Sequence, residues 1–201
     1  MDYDREQALA ARGFLAVCGI DEAGCGPLAG PVCAAAVILD PCDRIDGLND
    51  SKKLSERRRE ELFPQIRSRA RAFGIAFASV EEIEAQNILQ ARLLAMRRAV
   101  AQLAVRPDFA LVDGDRDPRL GFDTLLLKHG DALSPSIAAA SILAKVSRDR
   151  VMVELARQYP QYGFEKHKGY ASAAHRAAIL RYGPCPAHRR SFLTNLLGKP
   201  E

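Results

Sequence analysis

Four carboxylates stand beside turn-forming residues at the ends of apolar runs: Asp21 and Glu22 after residues 14–20, Asp113 before Gly114, and Asp131 after Gly130. Acids gathered at the rim of a core repel one another unless a cation lies between them. Oxygen-only ligands select hard divalent ions, Mg²⁺ or Mn²⁺, and two such ions about 4 Å apart form a machine for in-line phosphodiester hydrolysis. Asp-Gly is also an ordinary turn dipeptide, so Asp113 taken alone reads as either a ligand or a turn residue. Asp21 and Glu22 are adjacent, and adjacent side chains of a regular strand face opposite ways. Their convergence therefore requires the chain to leave strand geometry at that point. The glycines that follow, Gly24, Gly26 and Gly30, expose backbone N–H groups and admit close approach of a ligand. They are not a dinucleotide fingerprint, since two acids precede them and no helix-opening pattern follows.

The elements that must hold these groups are legible from periodicity. Residues 14–20 and 32–39 read as two buried strands, residues 72–78 as a third, and residues 109–112 and 124–127 as a fourth and fifth. Ser55 caps a charged helix that Pro64 is expected to kink or divide. Ser79 and Glu82 form a capping box for a long helix over 83–105, and Ser134 with Pro135 opens another running to about Tyr159. Ser172 and Gly183 bracket a further helix, the Pro184/Pro186 segment reads as a tail, and the end, 196–201, reads as a docking tail or, more readily, a fraying end. Strands that first cluster and then alternate with helices predict an α/β mixed sheet of about five strands flanked by helices, with a helical C-terminal extension.

The 201 residues suit one domain with its own core, and 48% hydrophobic against 27% charged residues exclude a disordered chain. The longest apolar run, residues 32–39, is far short of the roughly 20 residues that span a bilayer. The acidic start has no apolar leader, and five cysteines with no C-x-x-C pair give neither a disulfide framework nor a zinc knuckle. A cytoplasmic protein without membrane association is expected. Charge is uneven: residues 141–201 carry 11 Lys+Arg against 4 Asp+Glu, whereas the rest of the chain is net acidic. A basic C-terminal part suits a polyanionic partner, or is simply a solvated face.

Seven ordered segments resemble the type 2 ribonuclease H (ribonuclease HII) family of bacteria. They are residues 19–32 (Gly-Ile-Asp-Glu-Ala-Gly-Cys-Gly-Pro-Leu-Ala-Gly-Pro-Val), 50–54 (Asp-Ser-Lys-Lys-Leu), 112–114 (Val-Asp-Gly), 128–132 (Lys-His-Gly-Asp-Ala), 136–146, 167–170 (His-Lys-Gly-Tyr) and 188–192 (His-Arg-Arg-Ser-Phe). The resemblance implies a single ribonuclease H-like domain, with a catalytic core over about 14–160 and a helical substrate-binding part over about 161–201. It implies that Asp21 bridges two Mn²⁺ or Mg²⁺ ions, with Glu22 and Asp113 on one and Asp131 on the other. The implied substrate is an RNA/DNA hybrid or a ribonucleotide inside duplex DNA, cut on its 5′ side to leave 3′-hydroxyl and 5′-phosphate ends, by a monomeric enzyme. Removal of misincorporated ribonucleotides and RNA primers follows from it. In the family the backbone of Gly24-Cys25-Gly26 contacts the 2′-hydroxyl, Tyr170 stacks on the neighbouring deoxyribose, and Lys52, Lys145 and Lys168 hold phosphates. One departure stands out, because the family usually has arginine where this chain has Cys25. A catalytically silent hybrid-binding protein and another nuclease on the same fold, such as a junction resolvase, are the competing readings.

Overall fold

The chain is described by a computed structural model covering residues 1–198. Its five-stranded sheet is built from β1 (Val17–Ala23), β2 (Val32–Ile38), β3 (Ala72–Ala78), β4 (Phe109–Asp113) and β5 (Asp123–Leu127), in the order β3-β2-β1-β4-β5. The first three strands form an antiparallel meander, while β4 and β5 run parallel to β1. The β1–β4 pair therefore brings two C-terminal strand ends together at the middle of the sheet, the position where α/β sheets gather ligands.

Each face is covered by a long helix. Helix α3 (Val80–Ala101) packs Ala91, Ala95, Met96 and Ala99 onto Cys18, Ile20, Ala34 and Ala36. On the other face, helix α2 (Glu56–Arg69) and helix α4 (Pro135–Gln158) pack Leu62, Ile66, Ala138, Ala139 and Ile142 against Cys33, Ala35 and Val37. The alanines of β2 and α4 permit a very short helix-to-sheet distance. A Cβ placed on Gly19 would lie 2.1 Å from the Ser136 carbonyl carbon, so the backbone of α4 rests directly on β1.

The caps form as the sequence predicts. The Ser55 and Ser134 hydroxyls accept from the N–H groups of Arg58 and Ile137, and Ser79 with Glu82 closes both bonds of the capping box. Three expectations are corrected. Helix α2 runs unbroken through Pro64, which lies on the exposed side where water can serve the carbonyl that the ring leaves free. Helix α3 is instead broken at Asn87 (φ 70°), whose side chain accepts from the Gln90 N–H and starts the helix afresh. Strand β1 begins at Val17 because the Asp108 carboxylate takes the Leu15 and Ala16 N–H groups, and it continues through Ala23.

An N-terminal helix, α1 (Asp4–Ala11), had no sequence signal strong enough to find it. Glu6 on it accepts from the Ser134 hydroxyl and the Ser136 N–H, tying α1 to the start of α4. Beyond α4, α5 (Phe164–His167), α6 (Ala173–Tyr182) and α7 (Thr194–Leu197) surround a smaller core of Phe164, Tyr162, Ile179 and Leu193 that also takes in Ala29 and Met152. Residues 184–198 are thus no loose tail: His188 pairs with Ala29, and Arg189 is wholly buried. The expected fraying of 196–201 falls partly outside the described residues, which stop at 198.

Candidate active site

Asp21 and Glu22 lie inside a regular strand, since Asp21 faces Ala35 and Glu22 faces Ala34 across the β1–β2 ladder. The expectation that the chain leaves strand geometry here is corrected, and the two carboxylates do point to opposite faces. Asp21 turns toward α4, where the Ser141 hydroxyl lies 2.8 Å from that of Ser51, and its own Oδ1 accepts from the Glu22 N–H at 2.7 Å. Glu22 turns toward α3 and pairs with Arg92, Nη1 to Oε1 at 3.2 Å.

Asp113 is the last residue of β4. The register Ile20↔Val112 sets it beside Asp21 at about one strand spacing, roughly 4.8 Å, and on the same face. Its Oδ1 accepts from the Gly130 N–H at 2.7 Å, and Asp131 follows at once in a 3₁₀ turn (Gly130–Ala132) that leads into α4. Two strand ends and one helix entry therefore deliver Asp21, Asp113 and Asp131 to one rim of the sheet, while Glu22 stands on the other face beside Arg92.

The electrostatics record the crowding. Burial, then the Glu22 and Asp113 carboxylates, hold the Asp21 pKa well above the usual carboxylate range. Burial raises Glu22 against the pull of Arg92, and burial with Asp50 and Asp113 raises Asp131. Lys52 is raised although burial opposes it, because Asp21, Asp131, Asp50 and Asp113 all favour its ammonium. The site carries more negative charge than one lysine and one arginine neutralise.

A hard divalent cation fits this donor set. All donors are oxygens, and Glu22 Oε2 is buried with no partner among the described residues. No three His, Cys, Asp or Glu side chains among the described residues converge on a single point at ligand distance.

Next to the acids lies the segment 24–31, with Tyr170, Lys145 and Lys168 nearby. Tyr170 is about half exposed (47%), with the Lys145 ammonium and the Arg148 guanidinium each 6.0 Å from its ring centre. Lys145 is held by Asp149 at 2.7 Å, and Lys168, in a left-handed conformation, bonds the Glu165 carbonyl at 2.6 Å. Lys52 sits apart from these, among the carboxylates. Gly24 and Gly30 have positive φ (99° and 84°), and a Cβ at either would strike Arg148 or Met152. The Cys25 thiol points inward, 3.4 Å from Glu22 Oε1, rather than toward solvent. An arginine there would have to leave by another route.

Sequence reasoning passed over several residues that the fold brings here: Arg92, Asp50, the Ser51–Ser141 pair, Arg148 and Arg189. Most sat inside quoted motifs, but only tertiary contact reveals what each touches.

A carboxylate-lined central strand pair under two helices, in this strand order, is the frame of a ribonuclease H-type nuclease. The ribonuclease H2 of Pyrococcus horikoshii superposes with a TM-score of 0.77 at 26% identity, over 90% of this chain and 97% of that one. Bst-RNase HIII, solved in complex with Mn²⁺, shares the fold at 20% identity and a TM-score of 0.67, over 92% and 67% of the two chains. The family model for Ribonuclease HII matches residues 18–195. Ribonuclease HII of Syntrophotalea carbinolica is 57% identical over 187 residues, 93% of this chain and 90% of that protein. The chain belongs to the ribonuclease HII family, and with it to the ribonuclease H endonucleases.

Proposed function

We propose that the chain nicks duplex nucleic acid on the 5′ side of a ribonucleotide, in RNA/DNA hybrids and at single ribonucleotides embedded in DNA, leaving 3′-hydroxyl and 5′-phosphate ends. The observation that carries this reading is the meeting of Asp21, Asp113 and Asp131 at one sheet rim, beside a glycine loop and an exposed tyrosine. Asp21, Glu22, Asp113 and Asp131 would hold two divalent cations, Mg²⁺ or Mn²⁺; the Mn²⁺ in the Bst-RNase HIII structure is in keeping with that choice. When bound, the cations supply an activated water and neutralise charge on the leaving oxygen.

The protein's own groups have distinct tasks. Asp21, buried and flanked by two carboxylates, would be a ligand of the cations. Lys52, drawn in by four acids, offsets their charge and faces the scissile phosphate. The amides of Gly24, Cys25 and Gly26 meet the 2′-hydroxyl, the group by which a protein tells RNA from DNA. Tyr170 offers a flat apolar face to the adjoining deoxyribose, and Lys145 and Lys168 beside it hold phosphates, which position a duplex without reading its sequence. Residues of about 161–201 thus act as the substrate-holding part of one domain, in a cytoplasmic monomer. Five free cysteines accord with that compartment, and no helix among the described residues is long and apolar enough to cross a membrane.

The test is a labelled DNA duplex with one embedded ribonucleotide, incubated with Mg²⁺ or Mn²⁺. A single nick on the 5′ side is expected. No product with either metal from folded protein would refute the reading, and equal cutting of an all-DNA duplex would favour a general nuclease on this fold.

A further inference from the structure

Two arginines, Arg148 on α4 and Arg189 near the C-terminus, are 1% and 0% exposed, and neither forms an ion pair among the described residues. A buried charge without a counter-charge costs several kcal/mol unless its hydrogen bonds are all met. Here seven side-chain bonds go to backbone carbonyls, six of them within residues 24–31. Arg189 donates from Nε to the Gly30 carbonyl (2.9 Å), from Nη1 to those of Cys25 (3.0 Å) and Pro27 (2.9 Å), and from Nη2 to that of Gly24 (2.6 Å). Arg148 donates from Nε to Pro31 (2.9 Å), from Nη2 to Ala29 (3.0 Å), and from Nη1 to Lys168 (3.0 Å). The Arg189 N–H takes the Leu28 carbonyl at 2.8 Å. Every carbonyl from Gly24 to Pro31 other than that of Gly26 is thus turned inward.

With seven of its eight carbonyls engaged in this way, the loop leaves two adjacent amides unengaged. The Cys25 and Gly26 N–H groups meet no acceptor among the described residues, and a Cβ on Gly26 would find open space. The Leu28 and Gly30 amides instead tie the loop down, to the Gly169 and Ala187 carbonyls. Arg148 adds a second link, because it also holds the Lys168 carbonyl and lies under the Tyr170 ring. Loop and tyrosine therefore share one rigid frame.

We infer that Arg189, seconded by Arg148, is a positioning residue for ribonucleotide selectivity: it fixes segment 24–31 with the Cys25 and Gly26 amides aimed at the ribose. This rests on the reading of that loop given under Proposed function. An ammonium group keeps the charge but has three donors on one atom, too few and too close together to span four separated carbonyls. Arg189→Lys therefore loosens the loop while leaving the sheet and the basic surface in place.

Two measurements on the full chain test the inference, in Arg189→Lys and, if it folds, Arg189→Gln. Amide exchange at Leu28 and Gly30 should speed up about tenfold or more while Ala34 to Ala36 in β2 are unchanged. The kcat/KM on the single-ribonucleotide duplex should fall about a hundredfold, with affinity for an all-DNA duplex within roughly twofold of wild type. Unaltered loop exchange, or equal losses in cleavage and all-DNA affinity, would overturn it. If the wild type itself fails to nick, the functional reading falls, and exchange alone then decides whether Arg189 holds the loop.

Discussion

Asp21 is buried, 5% exposed, beside two carboxylates, and its Oδ1 accepts from the Glu22 N–H. Its raised pKa means that burying its charge costs stability near neutral pH, a cost tolerated for the sake of the site. Asp21→Asn keeps the volume and removes one of the repelling charges. It should abolish nicking, with at least about a thousandfold loss, while leaving duplex binding nearly intact and stabilising the metal-free protein by about 1 kcal/mol. Thermal melts with and without Mn²⁺ check both halves, since the wild type should gain stability from the cation and the variant should gain far less. Full activity in Asp21→Asn would remove the bridging role. At the same scale, Cys25 faces the site with its side chain and the C-terminal part with its backbone. Its thiol lies against Glu22, and the loop carbonyl it contributes is held by Arg189.

Among the elements, the contact of α4 with β1 decides the geometry of the site. Gly19 lets the helix backbone touch the strand, and that contact places Ser141 over Asp21 and the 3₁₀ turn of Asp131 beside Asp113. Backbone at 2.1 Å from a new methyl group cannot rotate away as a side chain would. Gly19→Ala should therefore cost about 3 kcal/mol in urea unfolding and lower activity by more than the unfolded fraction explains. A neutral result would mean that the helix can slide without disturbing the carboxylates.

For the whole molecule, the C-terminal part behaves as a buttress whose own core titrates. His175 Nδ1 donates to the Tyr170 carbonyl (2.8 Å), so its Nε2 accepts from His188 Nε2 (3.0 Å); His188 Nδ1 in turn accepts the Cys185 N–H (3.0 Å). Only neutral rings satisfy this chain of bonds. Burial, with His175 alongside, pushes His188 down to about 4, and burial lowers His175 too. The unfolded chain therefore takes up protons first as pH falls, and stability present above about 6.5 is lost progressively toward about 4. The raised carboxylates act in the opposite sense, because the folded chain binds their protons first. The histidine share is read as the stability of the wild type over His188→Gln, which should shrink by as much as about 3 kcal/mol between pH 7 and 4. A difference that stays constant with pH would dispose of the linkage.

The sequence by itself determined the number and order of the strands and the helix caps. Those depend on local periodicity and on hydrogen bonds within four residues, as Ser79 with Glu82 and Ser134 with Pro135 demonstrate. Its motifs likewise placed the chain in its family before any contact was known. The break at Asn87 and the straight passage through Pro64 escaped it, because both depend on whether tertiary packing or solvent meets the freed backbone groups. Tertiary structure alone decided which face each carboxylate takes, since a strand running on through Ala23 sends Asp21 and Glu22 apart and leaves α4 and α3 to choose their partners. It alone brought Arg189 onto the Gly30 carbonyl, 159 residues away. Contacts that distant carry no local pattern: they are fixed only when the sheet, two helices and the C-terminal part have closed around the same loop.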